Sequence, residues 1–256
     1  MLRYSANLSI LWPERDFYDR FEAASDAGFR FVEIGFPNEF DTGRIERLLS
    51  DLDLRMVLFN PYAGDWDSGE RGIIAVPGRE ADVEDALRDA FSLAGRLGTH
   101  LLNPLAGLLP QSVSKQQAFD TAVTNLRRMA PLAHDADVVL LVEGINSVDL
   151  PGFALDTTAE AAALVSAVAH PNVRMLLDVY HVAMAGEDLI ASLRACFPML
   201  AHVHIADTPG RHEPGSGKQP IVKFLRELDW MEYKGFVGLE YEPLADTESG
   251  LTWMKA

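Results

Sequence analysis

Short apolar runs alternate with longer amphipathic stretches from one end of the chain to the other. Eight runs have strand length: RYSANLSI (3–10), RFVEIGF (30–36), RMVLFN (55–60), HLLNPLAG (100–107), VVLLVEGIN (138–146), VRMLLDVYH (173–181), AHVHIAD (201–207) and FVGLEYEP (236–243). Most are apolar at successive positions, the pattern of parallel strands buried on both faces. Between them lie helical stretches. Residues 15–28 put Phe17, Phe21 and Ala24 on one face and close at Gly28, a helix-ending glycine. Residues 157–170 open on threonines, carry Glu160 in the first turn and stop before Pro171. Residues 221–229 keep Ile221, Phe224, Leu225 and Leu228 on one side. Eight such units in 256 residues predict an α/β protein, a (β/α)₈ TIM barrel. An open doubly wound sheet would have fewer strands and a G-x-G-x-x-G after the first, which is absent. No Pro/Gly/Ser linker divides the chain, so one domain is expected over 1–256. The longest irregular stretches, 61–80 and 208–220, follow strands three and seven, on the face where barrel loops build active sites.

Charge narrows the partners. With 22 basic and 38 acidic residues the formal charge is −16, which argues against nucleic acid, since phosphate binding needs a basic face. A small anionic substrate needs only one or two local cations. No run of about 18 apolar residues is present to span a membrane. The opening MLRYSANLSILWPERD reaches charge and proline too soon for a secretory leader. The single cysteine, Cys196, excludes an internal disulfide and a thiolate metal cluster and reads as a small packing residue. A reducing cytoplasm is the simplest location, and a homo-oligomer is compatible with the sequence.

The candidate chemistry sits at strand ends, which in a barrel point into one mouth. Strands five to eight supply Glu143, Asp178, His204 and Glu240 in turn. Taken singly, each reads as a polar group capping a strand. Four in succession at one level would repel without a positive charge among them. Three carboxylates and one imidazole suit a divalent metal, Mg²⁺ or Mn²⁺ before Zn²⁺ or Co²⁺. Glu33 lies at the same level on strand two, as a substrate partner, a support for the ligands or a structural group. Asn7 and Asn60 end strands one and three and could meet substrate hydroxyls. Residues 65–72, DWDSGERG, form a lid or a solvated loop. His181, three residues past Asp178, could donate to a substrate oxygen. His202, a pleat below His204, reads as a packed core histidine. Arg211, in the loop after strand seven, could anchor an anionic substrate or sit in a surface salt bridge. Glu242 falls beyond the metal, at the mouth. No G-x-S-x-G elbow, cysteine–histidine pair or P-loop is present.

Seven blocks, NLSILW, VLFNPYAGDWDSGERG, VPGRE, LLVEGINSVDLPGF, LLDVYH, VHIADTPGRHEPGSG and GLEYEP, resemble the hydroxypyruvate isomerase family over nearly the whole chain. That family belongs to the xylose-isomerase-like TIM barrels. The resemblance implies isomerisation of a small keto acid, hydroxypyruvate to tartronate semialdehyde or a 2-oxo-tetronate to its 3-oxo isomer. It implies Glu143 and Glu240 as the acid/base pair, and Glu143, Asp178, His204 and Glu240 as metal ligands. His181, Arg211 and Asp149 match substrate-contacting positions of related epimerases. Two departures stand out. Many members have glutamine at His204, and relatives tend to read TGE where this chain reads SGKQ, so Lys218 adds a cation near the mouth. The alternatives are a metal-dependent ketose 3-epimerase and a barrel that binds a sugar acid without turnover.

Overall fold

Eight parallel strands close into a barrel in the computed structural model, which describes residues 1–255. They are β1 (Arg3–Asn7), β2 (Phe31–Ile34), β3 (Arg55–Phe59), β4 (Leu101–Leu102), β5 (Val139–Glu143), β6 (Val173–Asp178), β7 (Leu200–Ile205) and β8 (Phe236–Leu239). Each pairs with its sequence neighbours, and β8 returns to β1 with Tyr4 opposite Val237 and Ala6 opposite Leu239. The helices are α1 (Asp19–Asp26), α2 (Thr42–Asp51), α3 (Glu80–Leu97), α4 (Lys115–Asp135), α5 (Thr158–Val168), α6 (Val179–Met184), α7 (Leu189–Cys196), α8 (Ile221–Trp230) and α9 (Thr247–Gly250). Among the described residues no helix is long and apolar enough to cross a membrane.

Local chemistry sets several boundaries. β1 stops at Asn7 because the Asn7 side-chain oxygen accepts from Ser9 N, an Asx turn that bends the chain out of the sheet. β4 has two residues, not the longer run its apolar pattern predicts, because Pro104 has no N–H to continue the ladder. α1 starts only at Asp19, later than the apolar spacing suggests, and Gly28 (φ +90°) takes the left-handed turn behind it. α5 is capped by the Thr157 side chain, which accepts from Glu160 N.

The large core lies between sheet and helices, and Cys196 is buried in it, its thiol pushed up to about 12 by burial. A smaller cluster of Val57, Leu58, Leu141 and Leu176, with Phe31, Val139 and Phe236 against it, plugs the N-terminal end of the strands. Period two then carries β5, β6 and β8 from apolar plug to polar mouth. On β5, Val139 and Leu141 lead to Glu143. On β6, Leu176 leads to Asp178. On β8, Phe236 leads through Gly238 to Glu240, the next residue on that face. Gly238 leaves room for the groups opposite it: a Cβ there would lie 2.6 Å from Glu33 Oε1 and 2.6 Å from His204 Cδ2. Gly238→Ala is expected to lower stability by about 1–3 kcal/mol through that overlap, read as a shift in the urea midpoint. An unchanged midpoint would mean the neighbours have slack.

Candidate active site

Beneath the mouth lies a fully buried polar layer. Ser5 on β1 donates its hydroxyl to Glu33, and Glu33 Oε2 faces His204 Nε2 at 2.8 Å. Its other oxygen is 2.9 Å from His202 Nε2. A register shift between Val32 and Glu33 marks the bulge at which Glu33 turns inward. Burial pushes the Glu33 carboxyl up, but the two imidazoles outweigh it and hold the group at about 2. His202 is therefore a core histidine with an acidic neighbour. Glu33 lies below the cavity wall and acts on His204.

One level up, His204 Nδ1 is 3.3 Å from Glu240 Oε2. Burial lowers the His204 pKa, yet Glu240 and Glu33 on its two sides raise it well above the ordinary value. Glu240 also takes a hydrogen bond from Asn7 Nδ2 (3.2 Å) and one from Arg211 Nη2. The same Arg211 nitrogen reaches Asp178 Oδ2 at 3.2 Å. Asp178 turns its other oxygen to Tyr180 N, which fixes the carboxylate at the start of α6. Burial raises the Glu240 carboxyl, but His204 and Arg211 more than reverse this and keep it ionised far below the usual carboxylate range. Glu143 stands in the opposite environment. Burial first, then Asp178 and Glu240, push its carboxyl up to about 8, and Asn103 Nδ2 donating to Oε2 at 2.8 Å offsets only part.

His181 is neutral by position, because burial lowers its pKa. Its tautomer follows from Asn146. The Asn146 oxygen accepts from Val148 N and Asp149 N, so its amide nitrogen must face His181 Nδ1 (2.6 Å) and Asp149 Oδ2 (3.1 Å). His181 Nδ1 is thus an acceptor, and its proton lies on Nε2, 3.5 Å from Asp178 Oδ2.

These groups open onto a cavity of about 640 Å³, whose wall includes Asn7, Asn60, Asn103, Glu143, Asp149, His181, Arg211 and Glu240. Asp178 and His204 lie just behind that wall. Lys218 does not reach it: the side chain is exposed and the backbone N–H donates to Thr208 O. Glu242 is also exposed. Part of the DWDSGERG segment does reach the cavity, through Trp66 and Arg71. The loop carrying Arg211 is organised by buried Asp207, which accepts from Thr208 N, Gly215 N and Gln219 N. Sequence reasoning missed Asn103, Asn146, Ser5 and Asp207. Asn103 was within its reach, since it follows β4 as directly as Glu240 follows β8.

Three sets of donors have atoms within 4.8 Å of one another: Asp178, His204 and Glu240; Glu143, Asp178 and His181; and Glu33, His202 and His204. The four expected ligands fall into the first two sets, which share Asp178. Their chemistry fits a divalent cation. The oxygens are hard donors, and the burial of Glu143 beside Asp178 and Glu240, which drives its carboxyl upward, is the imbalance such a charge relieves.

A closed parallel barrel with carboxylates and imidazoles gathered at the C-terminal ends of its strands has the architecture of the xylose isomerase-like TIM barrels, and that family's pattern matches residues 21–256. The chain is 40% identical to hydroxypyruvate isomerase of Escherichia coli, covering 99% of this chain and 98% of that one. It is 36% identical to 2-oxo-tetronate isomerase of Cupriavidus necator, covering 100% and 98%. A crystal structure described as AP endonuclease, family 2, from Brucella melitensis superposes with a TM-score of 0.96 at 36% identity, covering 100% and 98%. The chain belongs to the xylose isomerase-like TIM-barrel family, close to the hydroxypyruvate and 2-oxo-tetronate isomerases, and is an enzyme of isomerase type.

Proposed function

We propose that this enzyme moves a proton between neighbouring carbons of a small keto acid, interconverting hydroxypyruvate and tartronate semialdehyde or a 2-oxo-tetronate and its 3-oxo isomer. The observation that carries the reading is that Glu143 and Glu240 share one cavity wall in opposite surroundings, Glu143 buried beside Asn103 and Glu240 between Arg211 and His204. Two carboxyls pushed apart in this way divide into a base and an acid. Glu240, ionised, takes the proton from the hydroxyl-bearing carbon. Glu143, protonated, delivers one to the former carbonyl carbon, while the hydroxyl proton passes between the two oxygens. Asn103 occupies Oε2 of Glu143, so the mobile proton lies on Oε1. His181 offers Nε2–H to the oxygen on which negative charge builds. Arg211 keeps Glu240 ionised, and Glu33 sets the ring of His204. Asp178, His204 and Glu240, joined by Glu143 when it is ionised, would hold a divalent cation, Mg²⁺ or Mn²⁺, which when bound supplies positive charge beside the substrate oxygens. Exchange with solvent resets the two glutamates.

That reset gives the test. Incubated in D₂O, hydroxypyruvate or a 2-oxo-tetronate is expected to gain deuterium next to its carbonyl, read by NMR, and chelation is expected to slow the exchange. Exchange with no ketol at all would sink the proposal, and exchange indifferent to thorough chelation would remove the cation from it. A ketose 3-epimerase is the second reading, favoured by a cavity of about 640 Å³, far roomier than a three-carbon acid needs. It predicts deuterium at C3 of a neutral ketose. The name of the Brucella protein does not alter this reading, since a charge of −16 opposes nucleic acid.

A further inference from the structure

An anionic substrate entering this mouth meets Glu143, Asp178 and Glu240, so a cation not already neutralised must receive it. Three arginines line the cavity, Arg20, Arg71 and Arg211. Arg211 lies between Asp178 and Glu240. Arg20 donates through Nη1 to the carbonyls of Leu8 and Ser9 and through Nε to Arg15 O.

Arg71 differs from Arg211 in pairing with no carboxylate among the described residues, and from Arg20 in leaving Nε as well as Nη2 without a protein acceptor. Its Nη1 donates to the carbonyl oxygens of Trp66 (2.9 Å) and Glu70 (2.7 Å). The guanidinium lies over the Trp66 ring, 4.2 Å from its centre. The neighbouring acid, Glu70, is turned away to Arg79 and to Asp65 N. Nε and Nη2 of Arg71 therefore have no protein acceptor among the described residues. The backbone beside it is fixed. Gly72 N donates to Ala63 O at 2.7 Å, and Gly72 bridges Ala106 so closely that a Cβ there would fall 2.4 Å from Leu105 O.

We propose that Arg71 receives the substrate carboxylate, which makes it the residue that selects keto acids over neutral ketols. This rests on the keto-acid reading above, and it moves the anchoring role from Arg211 and Lys218 to a loop after β3. A guanidinium held flat by an aromatic ring, with one nitrogen already tied down, presents its remaining N–H groups in the fork that matches a carboxylate.

The test compares hydroxypyruvate with dihydroxyacetone, the same ketol with a hydroxymethyl group in place of the carboxylate. In Arg71→Met the ratio of their kcat/KM values for deuterium exchange is expected to fall at least tenfold, mainly through KM for hydroxypyruvate, with partial recovery in Arg71→Lys. A second arm reads binding alone: the Kd of D-glycerate by calorimetry is expected to rise at least tenfold in Arg71→Met. An unchanged ratio, or a glycerate Kd within twofold of wild type, overturns the proposal. A wild-type enzyme that exchanges neither ketol overturns the isomerase reading instead, and the glycerate arm still decides the role of Arg71.

Discussion

Glu143→Gln is expected to abolish turnover and at the same time make the fold more stable above neutral pH. The activity loss follows from removing the proton donor, and a drop of at least about 10³-fold is expected. The stability gain follows from the environment of the carboxyl. Its ordinary value of 4.5 rises to about 8 in the barrel through burial, Asp178 and Glu240. Between those two values the folded state holds a proton that the unfolded chain has released. Stability therefore falls as pH rises from about 4.5 to about 8 and then levels. Glutamine carries no charge and escapes that fall. The variant should match wild type below pH 4.5 and exceed it by on the order of 5 kcal/mol at pH 9, about 1.4 kcal/mol for each pH unit between 4.5 and about 8. Urea denaturation at pH 5, 7 and 9 with a chelator present reads this directly, since a divalent cation would itself lower the carboxyl. Equal stability at pH 9 would show that Glu143 has no raised pKa.

Glu240→Gln should be equally inactive and move stability the other way. Here the carboxylate is the counter-charge of Arg211 and His204, and its pKa is depressed, not raised. Losing it leaves the guanidinium with Asp178 alone and the imidazole with Glu33 alone. Removing one partner of a buried ion pair costs roughly 3–5 kcal/mol, and the lower part of that range is expected because Asp178 remains. A depressed pKa contributes stability above the unfolded value of about 4.5 and loses it as pH falls below. The gap between wild type and variant should therefore be full at pH 7 and shrink under pH 4.5. The same one-atom substitution at two glutamates of one cavity thus separates acid from base by stability as well as by rate. A stabilised Glu240→Gln protein would reverse the assignment.

The sequence showed much of this site because a strand has a fixed period. Once Leu141, Leu176 and Phe236 are read as inward-facing, Glu143, Asp178 and Glu240 follow at steps of two. The contacts of Arg211 and Lys218 were not visible in the same way. Both belong to a loop shaped by Asp207 accepting three backbone N–H groups, a fold that has no periodic trace in the residues. Asn103 was legible as the residue after β4, but Pro104 cuts that strand to two residues and leaves too short a period to single it out. Asn146 was hidden because its role depends on which way an amide faces, and only the turn at Val148 and Asp149 decides that. Glu33 was seen, but not its bulge, so its partnership with both histidines could not be foreseen.

The meeting of β1 and β8 has a consequence for how the enzyme becomes active. These strands come from opposite ends of the chain, so their pairing is the least local contact in the barrel and the slowest kind to form. The hydrogen bond from Asn7 to Glu240 spans that seam. Thr247 and Glu248 hold Trp12 just above it. A chain that has folded its first seven units still lacks Glu240, the proposed proton acceptor, and β1 still offers an open edge. Assembly and competence are therefore one event, and a half-built barrel has no means of deprotonating a metabolite.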